Sequence, residues 1–337
     1  MLHTSTTIMK FMECPRKWYY NQMMGFFRKG MSIPLGVGIK FHDLREHQFQ
    51  SRDWETSFNH VFKDWYGGDI MDVDMRTLQK IAAMVKGMAK HCPWDFKGVM
   101  GVEKEFYVHD LRELDIHLMY PDSVAIKIDQ WGYTEGFGSW ISDYKTRSTV
   151  SDIDTMRNEN RWKMDFQSSF YWFVADRAVL KEMSGFRFLM VSRSGIQQRK
   201  KRNPESYEDY LFRLVEEYTN TKKYYAEMWV KKHEMMTDFR KQLEYNLRNL
   251  QACREHCNFP MKYTQCSSPR GVCEYLPICT KSDGWEHLYD KFGPDHHPEL
   301  TNVEEISRAK SPVLPGENDP KPGSEKVPEP GDHAADV

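Results

Sequence analysis

A change in the spacing of apolar residues near residue 99 constrains the fold most strongly. Before it, apolar residues recur three or four positions apart, which predicts helices over Ser5–Met24, about Ile39–Trp65 and about Met75–His91. After it come four short β-compatible runs separated by turn residues: Val99–Val108, Leu114–Tyr120, Ser123–Trp131 and Gly138–Tyr144. These runs predict an antiparallel meander. Together the elements predict an α/β fold, a mixed central sheet flanked by helices.

The rest of the chain divides by composition. Asp165–Lys181 predicts a helix, Phe186–Ser192 a further strand, and Tyr207–Leu250 one or two surface helices. Residues 311–337 hold six prolines and three glycines and predict a disordered, acidic tail. The predicted organisation is one domain over residues 1–282 with a helical insertion at about 205–252, a linker over 283–310, and the tail.

Charge and cysteine usage narrow the class of protein. The formal net charge is −2, so any nucleic-acid contact must come from local basic patches rather than from a global positive field. No stretch approaches the roughly 20 apolar residues of a membrane span, and no secretory leader precedes the seven cysteines. Clustered cysteines without a leader indicate a metal site before disulfides. We expect a cytoplasmic protein with no membrane partner.

The stretch Ala125–Thr146 carries the most chemical information. Asp129 lies late in one predicted strand, and Asp143 and Lys145 close the next, two positions apart and therefore on one face. If the strands pair as a hairpin, Asp129 lies beside Asp143. Paired carboxylates bind a hard divalent cation, and a nearby lysine can orient water or stabilise an oxyanion, as phosphodiester hydrolysis requires. Alone, the D-x-K spacing is also typical of a solvated hairpin end.

Four motifs in order make the chain resemble the RecB-like nucleases of the PD-(D/E)XK superfamily. They are Gly38-x-x-x-His42, Ile128-Asp129, Ile141-Ser142-Asp143-Tyr144-Lys145-Thr146 and Gln167-x-x-x-Tyr171. The resemblance runs from about Ser5 to Cys279 and implies a restriction-endonuclease-like fold that uses Mg²⁺ or Mn²⁺. It further implies that His42, Asp129 and Asp143 are metal ligands and that Lys145 is the catalytic lysine. Gln167 and Tyr171 would support the site or touch the DNA backbone.

Two acids on the preceding strand could also belong to this site. Glu103 and Glu105 lie on the predicted strand before the hairpin. Either could face the metal, and for at least one of them a solvent-facing position on the sheet is expected.

The cysteines predict a second metal site. From spacing alone its metal stays open, because the Cys-x₂-Cys pairs of zinc ribbons are absent. A subset of RecB-like nucleases, including the AddB subunit and the CRISPR-adaptation exonucleases, holds a [4Fe–4S] cluster with one cysteine before the nuclease core and three after it. That resemblance implies Cys14, Cys266, Cys273 and Cys279 as ligands that clasp the two ends of the domain. The six-residue gap after Cys266, where two is common, leaves Cys253 or Cys257 as substitutes. Cys92 is predicted to be buried.

Two basic stretches have alternative readings. Arg199–Arg202 predicts either a solvated turn or a phosphate-contacting loop. Arg16–Tyr19 mixes cations with aromatics in a way typical of single-strand binding, but Trp18 fits a core position equally well.

The resemblance implies a metal-dependent deoxyribonuclease, an exonuclease acting on single-stranded DNA or free ends in replication, recombination or repair. The chain has no G-x-x-x-x-G-K-[ST] motif, so a helicase or recombination partner would be a separate polypeptide. Two other classes stay open. One is a catalytically inactive iron–sulfur subunit that binds DNA or serves as a scaffold. The other is a zinc-stabilised protein-interaction module.

Overall fold

The structure is a computed structural model of the 337-residue chain. It describes residues 1–30, 33–51, 53–67, 75–92, 98–151, 165–180, 183–200, 204–230, 236–268 and 271–300. The predicted tail, 311–337, lies outside the described residues.

A six-stranded mixed sheet forms the centre of the fold. Its strands are β1 (Leu2–His3), β3 (Val99–Val108), β4 (Ser123–Thr134), β5 (Gly138–Arg147), β6 (Met183–Ser192) and β7 (Tyr225–Val230). The spatial order is β1-β4-β5-β6-β7, and β3 pairs with the other edge of β4. β3, β4 and β5 are antiparallel neighbours, as predicted, but β5 and β6 run parallel and β6 and β7 antiparallel. The mixed sheet predicted from the sequence is therefore confirmed.

The hairpin of β4 and β5 opens at one end. The two strands pair from Thr134 opposite Gly138 as far as Gln130 opposite Ser142. Beyond that pair the next residues are Asp129 and Asp143, which have no Cα partners across the hairpin. β5 pairs with β6 along its full length, so beyond this point it is held in the sheet by β6 alone. The opening places both aspartates at a fork between strands instead of within a continuous ladder.

Helices cover both faces of the sheet. They are α1 (Ser5–Glu13), α2 (Pro15–Trp18), α3 (Ile33–Ser51), α4 (Trp54–Gly67), α5 (Met75–His91), α6 (Phe166–Val174), α7 (Tyr207–Asn220), α8 (Met236–Glu255) and α9 (Leu276–Cys279). One core packs α1, α6 and α8 against the sheet, and the other packs α3, α5 and α7 against the opposite face. Successive side chains of β6 point to opposite faces of the sheet, so Phe188 packs in the first core and Leu189 in the second.

Several predicted elements differ from the observed ones. The predicted helix Ser5–Met24 is interrupted, because Cys14 is extended between α1 and Pro15, the first residue of α2. The helix predicted over Ile39–Trp65 is two helices, α3 and α4. The strand predicted over Leu114–Tyr120 is wrong, since that stretch follows a short 3₁₀ turn, Leu111–Leu114, and is not extended into the sheet.

The segment Tyr207–Leu250 also differs from its prediction. Between α7 and α8 it contributes β7, the sixth strand of the main sheet. The predicted helical insertion therefore completes the sheet.

Residues 283–300, the described part of the predicted linker, pack against the start of the chain. The strand β10 (Tyr289–Lys291) pairs antiparallel with β2 (Phe26–Arg28). Gly25 adopts φ 67°, and a Cβ at this position would meet the Phe292 carbonyl oxygen at 2.1 Å. Only glycine allows this approach. The first 30 residues and the segment 283–300 thus form one packed unit.

A buried histidine ties the last described residues to the first helix. His297 Nε2 lies 3.1 Å from Asp295 Oδ1, and its Nδ1 lies 3.7 Å from Glu299 Oε1. Glu299 in turn accepts a hydrogen bond from the Thr4 hydroxyl at 2.6 Å. Burial lowers the pKa of His297, but the two carboxylates outweigh burial and raise the pKa to about 9.

Stability should fall at alkaline pH through His297. Because the folded-state pKa of about 9 exceeds the ordinary value of 6.5, the stabilising contribution is complete below about pH 6.5 and is lost as pH rises through about 9. We expect His297→Ala to lower the melting temperature by a few degrees at pH 6.5 and by clearly less at pH 10. His287 is exposed, and His287→Ala is the matched control, whose effect on the melting temperature should not depend on pH in this way. If His297→Ala lowered the melting temperature equally at both pH values, the assignment would be contradicted.

Candidate active site

Residues of the predicted motifs converge at the fork between β4 and β5. His42 on α3 lies with its Nδ1 3.2 Å from Asp129 Oδ1 on β4 and 3.3 Å from Glu103 Oε1 on β3. Within the described residues, this is the single group of three or more potential ligands whose donor atoms all lie within 4.8 Å of one another. One nitrogen and carboxylate oxygens are a donor set that suits a divalent cation.

Glu103 faces the site and Glu105 does not. Glu105 accepts a hydrogen bond from the Tyr107 hydroxyl at 2.6 Å. Glu103 adopts φ 45°, in the left-handed region that non-glycine residues seldom occupy. By register it stands across from Asp129, because its neighbours Val102 and Lys104 pair with Gln130 and Ile128. A strained backbone that directs a carboxylate into a cluster of polar groups is typical of functional sites.

Asp143 and Lys145 lie on the same face of β5, as their spacing predicts. The Lys145 Nζ is 2.5 Å from Asp143 Oδ2. Both Asp129 and Asp143 are buried, at 7% and 6% exposure. The second oxygen of Asp129 accepts a hydrogen bond from the backbone N–H of Tyr144, so Asp129 bridges the fork that the strands leave open.

Helix α6 holds the lysine from its other side. Asp165 caps its N-terminus, and the Asp165 carboxylate accepts a hydrogen bond from the Ser168 N–H at 2.9 Å. Gln167 in its first turn accepts from Lys145 Nζ at 2.9 Å and donates to the hydroxyl of Tyr171 at 3.2 Å. Lys145 is therefore fixed between a carboxylate and an amide, and Gln167 connects it to Tyr171.

The ionisable groups of the site strongly influence one another. Burial raises the pKa of Asp129, and the neighbouring Asp143 and Glu103 raise it further, to about 7, against the opposing effect of His42. His42 shows the converse: burial lowers its pKa, but Asp129 and Glu103 raise it well above 6.5. A divalent cation beside the buried Asp129 would favour its ionised form. The donor set and its charge thus fit a divalent cation.

The four predicted cluster cysteines line one cavity of about 310 Å³. Cys14 stands between α1 and α2, Cys266 and Cys273 flank the small hairpin of β8 (Ser267–Ser268) and β9 (Gly271–Val272), and Cys279 ends α9. The Cys273 N–H donates to the Cys266 carbonyl at 3.0 Å, which closes the hairpin. The residues lining the cavity include neither Cys253 nor Cys257, and Cys257 is exposed in the turn after α8.

The thiols influence one another across this cavity. Burial is the main cause of the raised pKa of Cys279, and the nearby Cys273, Cys14 and Cys266 raise it further. Burial likewise raises the pKa of Cys273. Thiols that oppose one another's ionisation fit a positively charged centre, since metal ligation requires thiolates. Cys92, in contrast, is buried in the core beneath α3 and α5, as predicted, and burial raises its pKa to about 11.

Two residues of the mixed basic and aromatic stretch Arg16–Tyr19 have structural roles. Trp18 is fully buried and stacks on Phe259 at 5.8 Å, so the core reading of Trp18 is correct. Arg16 Nε donates to the Phe259 carbonyl at 2.7 Å. In the other basic stretch, Arg199 and Lys200 are exposed, and residues 201–202 lie outside the described part of the chain.

The chain belongs to the PD-(D/E)XK nuclease superfamily, whose family model matches residues 4–280. No curated protein matches the sequence significantly. Among solved structures, the chain is similar to a "Putative exonuclease" from Eubacterium rectale, with 12% identity over 83% of this chain and 92% of that one and a TM-score of 0.48. It is more distantly similar to the protein SSO0001, with 11% identity over 54% of this chain and 73% of that one and a TM-score of 0.23. Within the described residues, no helix is both long and apolar enough to cross a membrane.

Proposed function

We propose that this member of the superfamily is a RecB-like deoxyribonuclease that requires Mg²⁺ or Mn²⁺ and degrades DNA from an end. The observation that carries the proposal is the convergence of His42, Asp129, Asp143 and Lys145 at the β4–β5 fork. An inactive scaffold subunit would have no need of this complete set.

Each residue has a role in the proposed reaction. His42, Asp129 and Asp143, joined by Glu103, would bind the cation, which when bound supplies Lewis-acid stabilisation and an activated water. Lys145, held at 2.5 Å from Asp143 and 2.9 Å from Gln167, presents a fixed positive charge to the scissile phosphate and can orient the attacking water. Gln167 and Tyr171 keep the lysine in place and lie at the edge where the DNA backbone would pass.

The cysteine cavity supports a [4Fe–4S] cluster as part of this proposal. The four cysteines line this cavity together, and the resemblance to nucleases with such a cluster implies Cys14, Cys266, Cys273 and Cys279 as its ligands. A single zinc ion held by the same four thiolates is the alternative, which the metal content of the purified protein decides. The centre would be structural and would clasp α1 to the C-terminal part of the domain.

A cleavage assay tests the proposed activity and its polarity. Linear single and double strands labelled at either the 5′ or the 3′ end, and a closed circular DNA, are incubated with Mg²⁺, Mn²⁺ or a chelator. We expect metal-dependent loss of label from linear DNA, with one end attacked first and the circle resistant. If the circular DNA were nicked as fast as the linear DNA is degraded, the enzyme would be an endonuclease. Binding of DNA without cleavage in either metal would favour the inactive subunit, which a separate helicase or recombination protein would complete.

A further inference from the structure

A fully buried cation lies beside the candidate active site and outside its ligand set. Arg45, 1% exposed, follows His42 on α3 by three positions, so both point from one face of the helix. Its Nη2 donates to the Tyr144 hydroxyl at 3.2 Å, and its Cζ lies 5.3 Å from the centre of that ring. Its Nη1 donates to Gln48 on the same helix. Burying a guanidinium costs free energy that its contacts must offset, so these contacts matter to this part of the fold.

Tyr144 connects this cation to the ligands. It stands in β5 between Asp143 and Lys145 and points to the opposite face of the sheet, against α3. Its backbone N–H donates to Asp129, and its ring lies 5.9 Å from the His42 imidazole at 73°. One residue therefore contacts the helix that carries His42, the carboxylate on β4 and, through its neighbours in β5, the rest of the site.

We propose that Arg45 and Tyr144 are a positioning pair that holds α3 against β5 and thereby sets the affinity of the site for its divalent cation. His42 is the only proposed ligand on α3, and the others lie on the sheet, so a small shift of the helix separates His42 from Asp129 and Glu103. Metal sites tolerate displacements of only about 0.5 Å. The bond from Arg45 to Tyr144 crosses between the helix and the strand one turn beyond His42 and resists such a shift. This inference rests on the proposed function for the identity of the site.

The test is direct Mn²⁺ binding to the full chain, measured by titration calorimetry beside the melting temperature. Arg45→Met keeps the length of the side chain and should raise the Kd for Mn²⁺ by about tenfold or more, the range found for residues that support metal ligands. Tyr144→Phe keeps the ring and should raise it several-fold. The double variant should be no weaker than Arg45→Met, because the two residues act as one pair. Cleavage by both variants should recover toward the wild-type rate at saturating Mn²⁺.

Gln48→Met is the matched control. It removes a partner of Arg45 that lies on the same helix and not on β5, and it should leave the Kd within about twofold. Wild-type affinity in folded Arg45→Met or in Tyr144→Phe, or additive losses in the double variant, would overturn the positioning pair while leaving the nuclease proposal intact. A wild-type chain that neither binds Mn²⁺ nor cleaves DNA would overturn both. Should Arg45→Met fail to fold, Tyr144→Phe alone decides.

Discussion

Asp143→Ala and Lys145→Ala should each reduce metal-dependent DNA cleavage by about 10³-fold or more. Asp143 is buried 2.5 Å from Lys145, and its loss removes a carboxylate from the proposed cation site and a partner of the lysine. Lys145→Ala removes the fixed positive charge that Gln167 holds from the other side. Cleavage rates on end-labelled DNA at saturating Mg²⁺ measure the effect.

Folding and DNA binding should survive both substitutions. Binding of labelled DNA without metal and the melting temperature are the accompanying measurements. Glu105→Ala is the matched control, because this acid lies on β3 two residues from Glu103 but interacts with Tyr107. It should leave the rate within about twofold. Full metal-dependent activity in purified Asp143→Ala or Lys145→Ala would remove these residues from the reaction.

Cys14→Ala should remove iron from the anaerobically purified protein and destabilise the whole domain. We expect wild type to be brown, with about four irons per chain, as Cys₄ ligation of a cubane cluster implies. Cys14 is the one cavity cysteine in the N-terminal part of the chain, so its loss releases α1 from the C-terminal segment. A cross-link over a loop this long contributes about 5 kcal/mol in the chain-entropy picture. For a domain of this size the melting temperature should fall by roughly 10 °C or more.

Two further cysteines serve as controls. Cys257→Ala, outside the cavity lining, and Cys92→Ser, in the core beneath α3 and α5, should both keep the iron. Only Cys92→Ser should lower the melting temperature, because it places a hydroxyl in an apolar core. If the purified protein contained one equivalent of zinc instead of iron, the cysteine clasp would remain but the cluster assignment would be wrong. Iron and melting temperature both unchanged in Cys14→Ala would show that the clasp itself is wrong.

Sequence periodicity is a good guide to the site where the backbone is regular. A spacing of two residues along a strand places Asp143 beside Lys145. A spacing of four residues along a helix places Gln167 beside Tyr171. The same reasoning cannot choose between Glu103 and Glu105, because both have the same parity along β3. Position along the strand decides between them, since Glu103 stands across from Asp129 whereas Glu105 pairs with Lys127, and this register between strands cannot be read from the pattern of one strand.

The wrong strand and the missed strand have tertiary causes. Carbonyl groups of the stretch after Leu114 are satisfied by side chains of α8: Arg240 donates to Asp115 and Arg248 to His117. Such contacts, 125 or more positions away in sequence, let an apolar stretch stay irregular. β7 was missed because it is short. Its six residues, between two long helices, are too few to show a clear strand periodicity. The burial of Arg45 cannot be predicted from the sequence, because a single arginine in a helix normally indicates a solvent-exposed face.

The cysteine cavity has a consequence for how the protein is made. Cys14 leaves the ribosome 265 positions before Cys279, which at roughly 5 to 20 residues per second is about 13 to 50 seconds earlier. During that interval the first helices have neither their cavity partners nor β10, and the strand β1 waits for residues 123–124. Apolar surface on α1 and α2 is therefore open to chaperones while synthesis continues. The proposed cluster could bind only after residue 279 has emerged, so a chain truncated before this residue would contain every strand of the main sheet but not the complete cysteine site.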